Sequence, residues 1–184
     1  MSMRTAEEAP PALEAAPDYC RCQTLVLGCG NVLFGDDGFG PAVAGQLRCR
    51  ADLPSSMVVV DAGTSARQLL FDLVLSPVRP RRLIVVDAVD MGRRPGEVWT
   101  LQANELPRVK IDDFSMHQLP TSNLLRELAE LAGVEVQCIV AQVSELPAEV
   151  KPGLSGPMQK AVQRAERRIL KGVVLCRRKN KSFP

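Results

Sequence analysis

The chain reads as one α/β domain: a mostly parallel, twisted sheet of about five strands with helices on both faces. Three observations predict it. Short runs rich in Val, Ile and Leu alternate with segments of helical periodicity, the pattern of a parallel sheet covered on both sides. Several of those runs end in acids, as ligand-handling loops do at the carboxyl edge of such sheets. With 184 residues, 46% of them hydrophobic, the chain can bury one core, and no linker-like stretch divides it in two.

The elements follow in order. Residues 1–20 form a small-residue, acidic stretch broken by Pro10, Pro11 and Pro17, which predicts a flexible tail ahead of a domain spanning 21–175. A buried strand at 24–27 leads into the turn Gly28-Cys-Gly-Asn31 and the acids Asp36 and Asp37. A helix over 41–50 starts on Pro41, where a missing N–H costs nothing. Strand 57–60 runs into Asp61-Ala-Gly63, helix 66–75 follows, and strand 82–86 ends at Asp87. A fourth strand is expected over 96–101, with Trp99 on one face. Residues 103–120 then form a long loop carrying the only histidine, His117. Helix 121–132 shows the stripe Leu124, Leu125, Leu128 and Leu131, and Gly133 stops it. Strand 135–142 is the last. A loop with Pro147, Pro152 and Pro157 precedes helix 158–171, whose Met158, Val162, Ala165 and Ile169 face the core. Residues 176–184 read as a basic tail.

Composition excludes several classes. The formal net charge of +2 does not call for nucleic acid as a partner, and no run approaches the roughly 18 apolar residues of a spanning helix. The N-terminal stretch has no apolar h-region, so a cytoplasmic protein is expected. The six cysteines are too scattered for a disulfide framework. Cys20-Arg-Cys22 has no second pair to complete a zinc site and reads as two ordinary thiols.

If the strands are parallel, Asp36, Asp37, Asp61 and Asp87 all arrive at one rim, and the 103–120 loop is long enough to bring His117 there. A dinucleotide site is disfavoured: the third fingerprint glycine would fall at Leu33, and two acids would repel a pyrophosphate. No Walker loop or nucleophile elbow is present. Cys29 with His117 lacks an orienting partner, and a small residue packed in a tight turn is the simpler account. Carboxylates with one imidazole suit a borderline metal such as nickel, zinc, manganese or iron, with positions left open for a ligand on another molecule. Each residue alone has a plainer explanation: Asp36 and Asp37 as turn formers, Asp87 as a capping acid, His117 as a structural histidine.

Gly28-Cys-Gly-Asn-Val-Leu-Phe-Gly-Asp-Asp-Gly-Phe-Gly40 resembles the N-terminal signature, and Asp61-Ala-Gly-Thr64 the second-strand motif, of the hydrogenase maturation endopeptidases. Leu83-Ile-Val-Val-Asp-Ala-Val-Asp-Met-Gly92, followed by Pro95-Gly96, is similar to the third-strand motif. Ser115-Met-His-Gln118 resembles the histidine loop, and Leu154-Ser-Gly-Pro-Met-Gln-Lys-Ala-Val162 the start of the final helix. The match runs over residues 22–172 in order.

The resemblance implies an endopeptidase that removes the C-terminal extension of a nickel–iron hydrogenase large-subunit precursor once nickel is inserted. The nickel is then supplied by the precursor, and no tightly bound organic cofactor is expected. The family's metal-contacting residues map to Asp37, Asp87 and His117, with many members carrying Glu where this chain has Asp37. Either a metal-polarised water or carbonyl, or Asp36 as general base, serves the hydrolysis. Asp61 is expected as support or as a helix cap. The combined N-terminal motifs look most like members serving F420-reducing or related cytoplasmic hydrogenases. A non-catalytic nickel-sensing or chaperone module, and a nucleotide-binding oxidoreductase, are the alternative functions.

Overall fold

The computed structural model describes residues 16–106 and 122–180. Five strands form one sheet: β1 (Thr24–Cys29), β2 (Met57–Gly63), β3 (Arg82–Val89), β4 (Val98–Gln102) and β5 (Glu135–Gln142). Their spatial order is β2-β1-β3-β5-β4. All neighbours pair in parallel except β4, which lies antiparallel against β5 at the edge. β1 and β3 are buried along their whole length, as strands covered on both faces must be, which is why their centres, Leu25–Leu27 and Leu83–Val86, read as apolar runs.

One face is covered by α2 (Phe39–Arg48) and α5 (Gly156–Asn180), which pack Phe39, Val43, Leu47, Met158, Ala165 and Ile169 onto Val26, Ile84 and Ile139. The other face carries α3 (Ala66–Leu75), α4 (Ser122–Glu130) and the short α1 (Asp18–Arg21), packed on Leu25, Leu27, Val85, Cys138 and Val140. Successive strand residues point to opposite faces, so the even and odd positions of β3 serve different layers. No helix among the described residues is long and apolar enough to cross a membrane.

The glycines of the β1 signature have a packing cause. α2 crosses β1 so closely that a Cβ on Gly28 would meet the Gly40 carbonyl. A Cβ on Gly40 would meet the Cys29 backbone and the Val86 carbonyl oxygen. Only a pair without side chains permits that approach.

Several boundaries differ from the sequence reading. α2 begins two residues before Pro41, which still lies in the first turn where its N–H is not needed. β2 continues through Asp61 to Gly63. β4 starts at Val98, because Gly96 (φ 74°) turns the chain beside Pro157. α4 ends at Glu130, and Leu131 is 80% exposed, so it drops out of the expected stripe. Of the expected N-terminal tail, residues 1–15 lie outside the described residues. Asp18–Arg21 is helical, and Cys20 is fully buried against α3, so the packed domain starts before residue 21. At the other end, α5 carries the backbone on to Asn180, past the expected start of the basic tail at 176.

Candidate active site

The C-terminal ends of β1, β3 and β5 meet one rim. After β1 the chain turns through Gly30, whose φ of 121° only glycine adopts readily, and returns as a short 3-10 turn, Gly35–Gly38. That turn carries Asp36 and Asp37, 1% and 7% exposed. Asp37 Oδ2 accepts the Asn31 N–H at 2.7 Å, which fastens the acid to the turn leaving β1. β3 supplies Asp87, 5% exposed, whose Oδ1 accepts the Ala88 N–H at 2.9 Å.

Asp37 and Asp87 are brought together. Burial holds the Asp87 carboxyl well above its ordinary pKa, the nearby Asp37 charge pushes the same way, and the Ala88 N–H opposes both. Beneath them lie two thiols. Cys29 is pushed well up by burial and then by the surrounding acids, Asp87 first, and Cys138 on β5 is pushed up to about 12 by burial and by Asp87. A neutral, enclosed Cys29 is no nucleophile, so the thiol-hydrolase reading loses its reactive atom. Cys20 and Cys22 are also raised by burial, Cys22 to about 11, which suits ordinary thiols rather than metal ligands.

Both oxygens of Asp36 are engaged by donors from other segments. Its Oδ1 accepts the Ser155 N–H at 2.7 Å. Its Oδ2 accepts the Ser144 N–H at 2.8 Å and the Ser155 hydroxyl at 2.9 Å. That occupancy weighs against the expectation of Asp36 as general base. Asp61 is exposed; its Oδ1 accepts the Gly63 N–H at 3.1 Å, and it caps no helix. It lies instead with Val32, Pro41, Ala42 and Leu154 along an open groove of about 270 Å³ that also touches Gly38, one residue from Asp37.

The expected third ligand, His117, lies outside the described residues. Among those described, no three His, Cys, Asp or Glu side chains are arranged to hold a metal, and the rim contributes the two carboxylates Asp37 and Asp87. Two carboxylates alone suit a hard cation, and an imidazole such as that of His117 is the donor that would favour a borderline one.

A family model described as hydrogenase maturation protease matches residues 41–172. The chain belongs to the hydrogenase maturation protease family. It is 40% identical over 147 residues to a putative hydrogenase maturation protease of Methanocaldococcus jannaschii, covering 79% of this chain and 93% of that protein. It is 36% identical over 152 residues to the coenzyme F420 hydrogenase subunit delta of Methanothermobacter thermautotrophicus, covering 80% and 92%. Among solved structures, the hydrogenase maturating endopeptidase HybD of E. coli superposes with a TM-score of 0.66 at 26% identity, over 84% of this chain and 93% of that one. As a member of this protease family the chain is a peptidase, and neither the chaperone nor the oxidoreductase reading stands.

Sequence reasoning did not find the partners of Asp36. Ser155 stood in the quoted motif before α5 and has a helix-capping type, its hydroxyl lying 3.4 Å from the Met158 N–H. Ser144 carries no such signal, since it acts through its backbone N–H.

Proposed function

We propose that this maturation protease removes the C-terminal extension of a nickel–iron hydrogenase large-subunit precursor and recognises the nickel already seated there. One observation carries the reading: two buried carboxyls, Asp37 and Asp87, sit together at the strand ends, and Asp87 is disfavoured as an anion by its own setting. Such a pair gains most from a cation arriving from outside. Nickel presented on the precursor brings positive charge to the pair, and Asp87 releases its proton as it becomes a ligand. Asp37, Asp87 and His117 are assigned as the contacts to the metal, which is substrate rather than resident cofactor. The bound metal polarises the adjacent carbonyl or a water for hydrolysis. The groove lined by Gly38, one residue from Asp37, is the bed assigned to the cleaved strand.

The similarity to a coenzyme F420 hydrogenase subunit delta supports a hydrogenase of that type as the source of the precursor. No nucleic acid, membrane or tightly bound organic cofactor belongs to the reading.

The test incubates the protein with nickel-loaded and nickel-free precursor and measures product mass. Loss of a C-terminal peptide from the nickel-loaded form alone is expected. Asp37→Asn, Asp87→Asn and His117→Ala should each lower the rate by roughly 100-fold or more, on the scale of losing an electrostatic contact to the reacting group. Equal cleavage of both precursors, or undiminished cleavage by the variants, defeats the assignment.

A further inference from the structure

We propose that Asp36 is the positioning residue of this site: it sets the separation of Asp37 from Asp87 and does not touch the scissile bond. The activity part of the argument rests on the function proposed above.

The geometry runs as a closed chain. Asp36 holds Ser144 and Ser155 through three hydrogen bonds of 2.7–2.9 Å. Ser144 follows Val143, whose N–H donates to the Val89 carbonyl at 3.1 Å, two residues beyond Asp87 on β3. β5 in turn lies in register beside β3, with Val140 opposite Asp87. Asp36 thus ties the turn that carries Asp37 to the strand ends that carry Asp87. The segment between the two serines is fastened to the same turn a second time: Gly35 N–H donates to the Lys151 carbonyl and Lys151 N–H to the Leu33 carbonyl, both at 2.9 Å.

A general base needs a lone pair that substrate can reach. Asp36 is 1% exposed and already accepts from three donors, close to the four that a carboxylate can take. It is built to hold, and the acid beside it is the one presented at the rim. A displacement near 1 Å at a reacting group is worth about 100-fold in rate, so the tie has a measurable consequence.

The experiment compares Asp36→Asn, Ser155→Ala, the double variant and Ser155→Thr by single-turnover cleavage of nickel-loaded precursor across pH. Amide hydrogen exchange is followed in parallel. Asn31 is the reporter, because its N–H is held by the Asp37 carboxylate. Ser155→Ala should lose about 10-fold and Asp36→Asn about 100-fold, with the double variant no worse than Asp36→Asn. The acid limb of the pH profile should be unmoved in all of them, Ser155→Thr should recover most of the rate, and Asn31 exchange should quicken in Asp36→Asn and Ser155→Ala. Should Asp36→Asn fail to fold, the Ser155→Ala and Ser155→Thr pair decides by the same readouts. Loss of the acid limb in Asp36→Asn, with Ser155→Ala unimpaired, makes Asp36 the base and overturns the proposal. If the wild type cleaves no nickel-loaded precursor, the function proposed above fails. Asn31 exchange then decides alone, and an unchanged rate in the variants overturns the positioning role.

Discussion

The two edges of the sheet treat charge in opposite ways. At the N-terminal edge, Arg82 on β3 is 7% exposed, but its guanidinium reaches Glu135 on β5 at 2.7 Å and the Gly172 carbonyl of α5 at 3.2 Å. At the C-terminal edge, Asp87, five residues along the same strand, is as deeply buried and has the like charge of Asp37 for a neighbour. One strand therefore carries a neutralised charge at one end and an opposed one at the other. The first arrangement pairs the charge within the fold; the second sets two acids side by side, which an arriving cation would relieve. That difference separates scaffold from site more clearly than burial does.

The largest expected effect comes from breaking the approach on which the C-terminal edge depends. Gly40→Ala places a methyl against the Cys29 and Val86 backbones, which cannot swing aside. We expect a loss of about 3 kcal/mol or more in urea unfolding, with m unchanged, or failure to fold. Gly45→Ala in the same helix is the control: no atom lies within 4 Å of its new methyl, and a gain of about 0.5–1 kcal/mol is expected from helix propensity. Similar values for the two would mean that the close crossing of α2 over β1 is not what those glycines serve.

The sequence made the alternation of strands and helices legible because fully buried parallel strands leave apolar runs that polar loops cannot imitate. It also placed Asp37 and Asp87 on a common rim, since parallel strands have one carboxyl edge. It could not assign Asp36. The adjacent acids look alike in sequence, and their difference lies in partners 108 and 119 residues away. One of those partners acts through backbone, which no side-chain pattern reveals. Leu131 misled for a related reason: helical spacing continues past the point where the helix stops, and α4 ends one residue before it. In sequence Gly28-x-Gly30 is half a dinucleotide fingerprint, disfavoured by Leu33 and the nearby acids, and that Gly28 serves the crossing of α2 shows only once α2 is seen lying on it.

A middle-sized effect belongs to the N-terminal edge. Arg82→Met removes the cation and keeps the stem packed. Glu135 is 46% exposed and can return to water, so the cost is nearer that of a partly screened pair, about 1–2 kcal/mol. Cleavage of the precursor should stay within about twofold of wild type, because the contact lies at the opposite end of β3 from Asp87. Chemical denaturation and the cleavage assay on the same preparation check both halves. A large loss of cleavage with little loss of stability would erase the division between the two edges.

The last effect has the opposite sign. Asp87 has its folded pKa raised by burial and by Asp37, above an unfolded value of about 3.9. The folded state therefore holds more protons than the unfolded one between those two values. Stability falls as pH rises from the unfolded pKa through the folded one, and the penalty is then constant above it. Asparagine at position 87 carries no charge and its side-chain carbonyl can still accept the Ala88 N–H, so it escapes that penalty. With a chelator present, Asp87→Asn should be the more stable protein at pH 7 by about 1–2 kcal/mol, in line with the gain seen when a functional strain is removed. The gap should shrink as pH is lowered toward 4, where the folded carboxyl is neutral and the unfolded one is about half protonated. Urea unfolding at intervals from pH 4 to 8 measures it. A gap that is absent at pH 7, or that does not change with pH, would mean that the folded protein already compensates the Asp87 charge, and the contrast with Arg82 would disappear. A gap that appears alongside lost cleavage shows the same carboxyl destabilising the fold and serving the reaction.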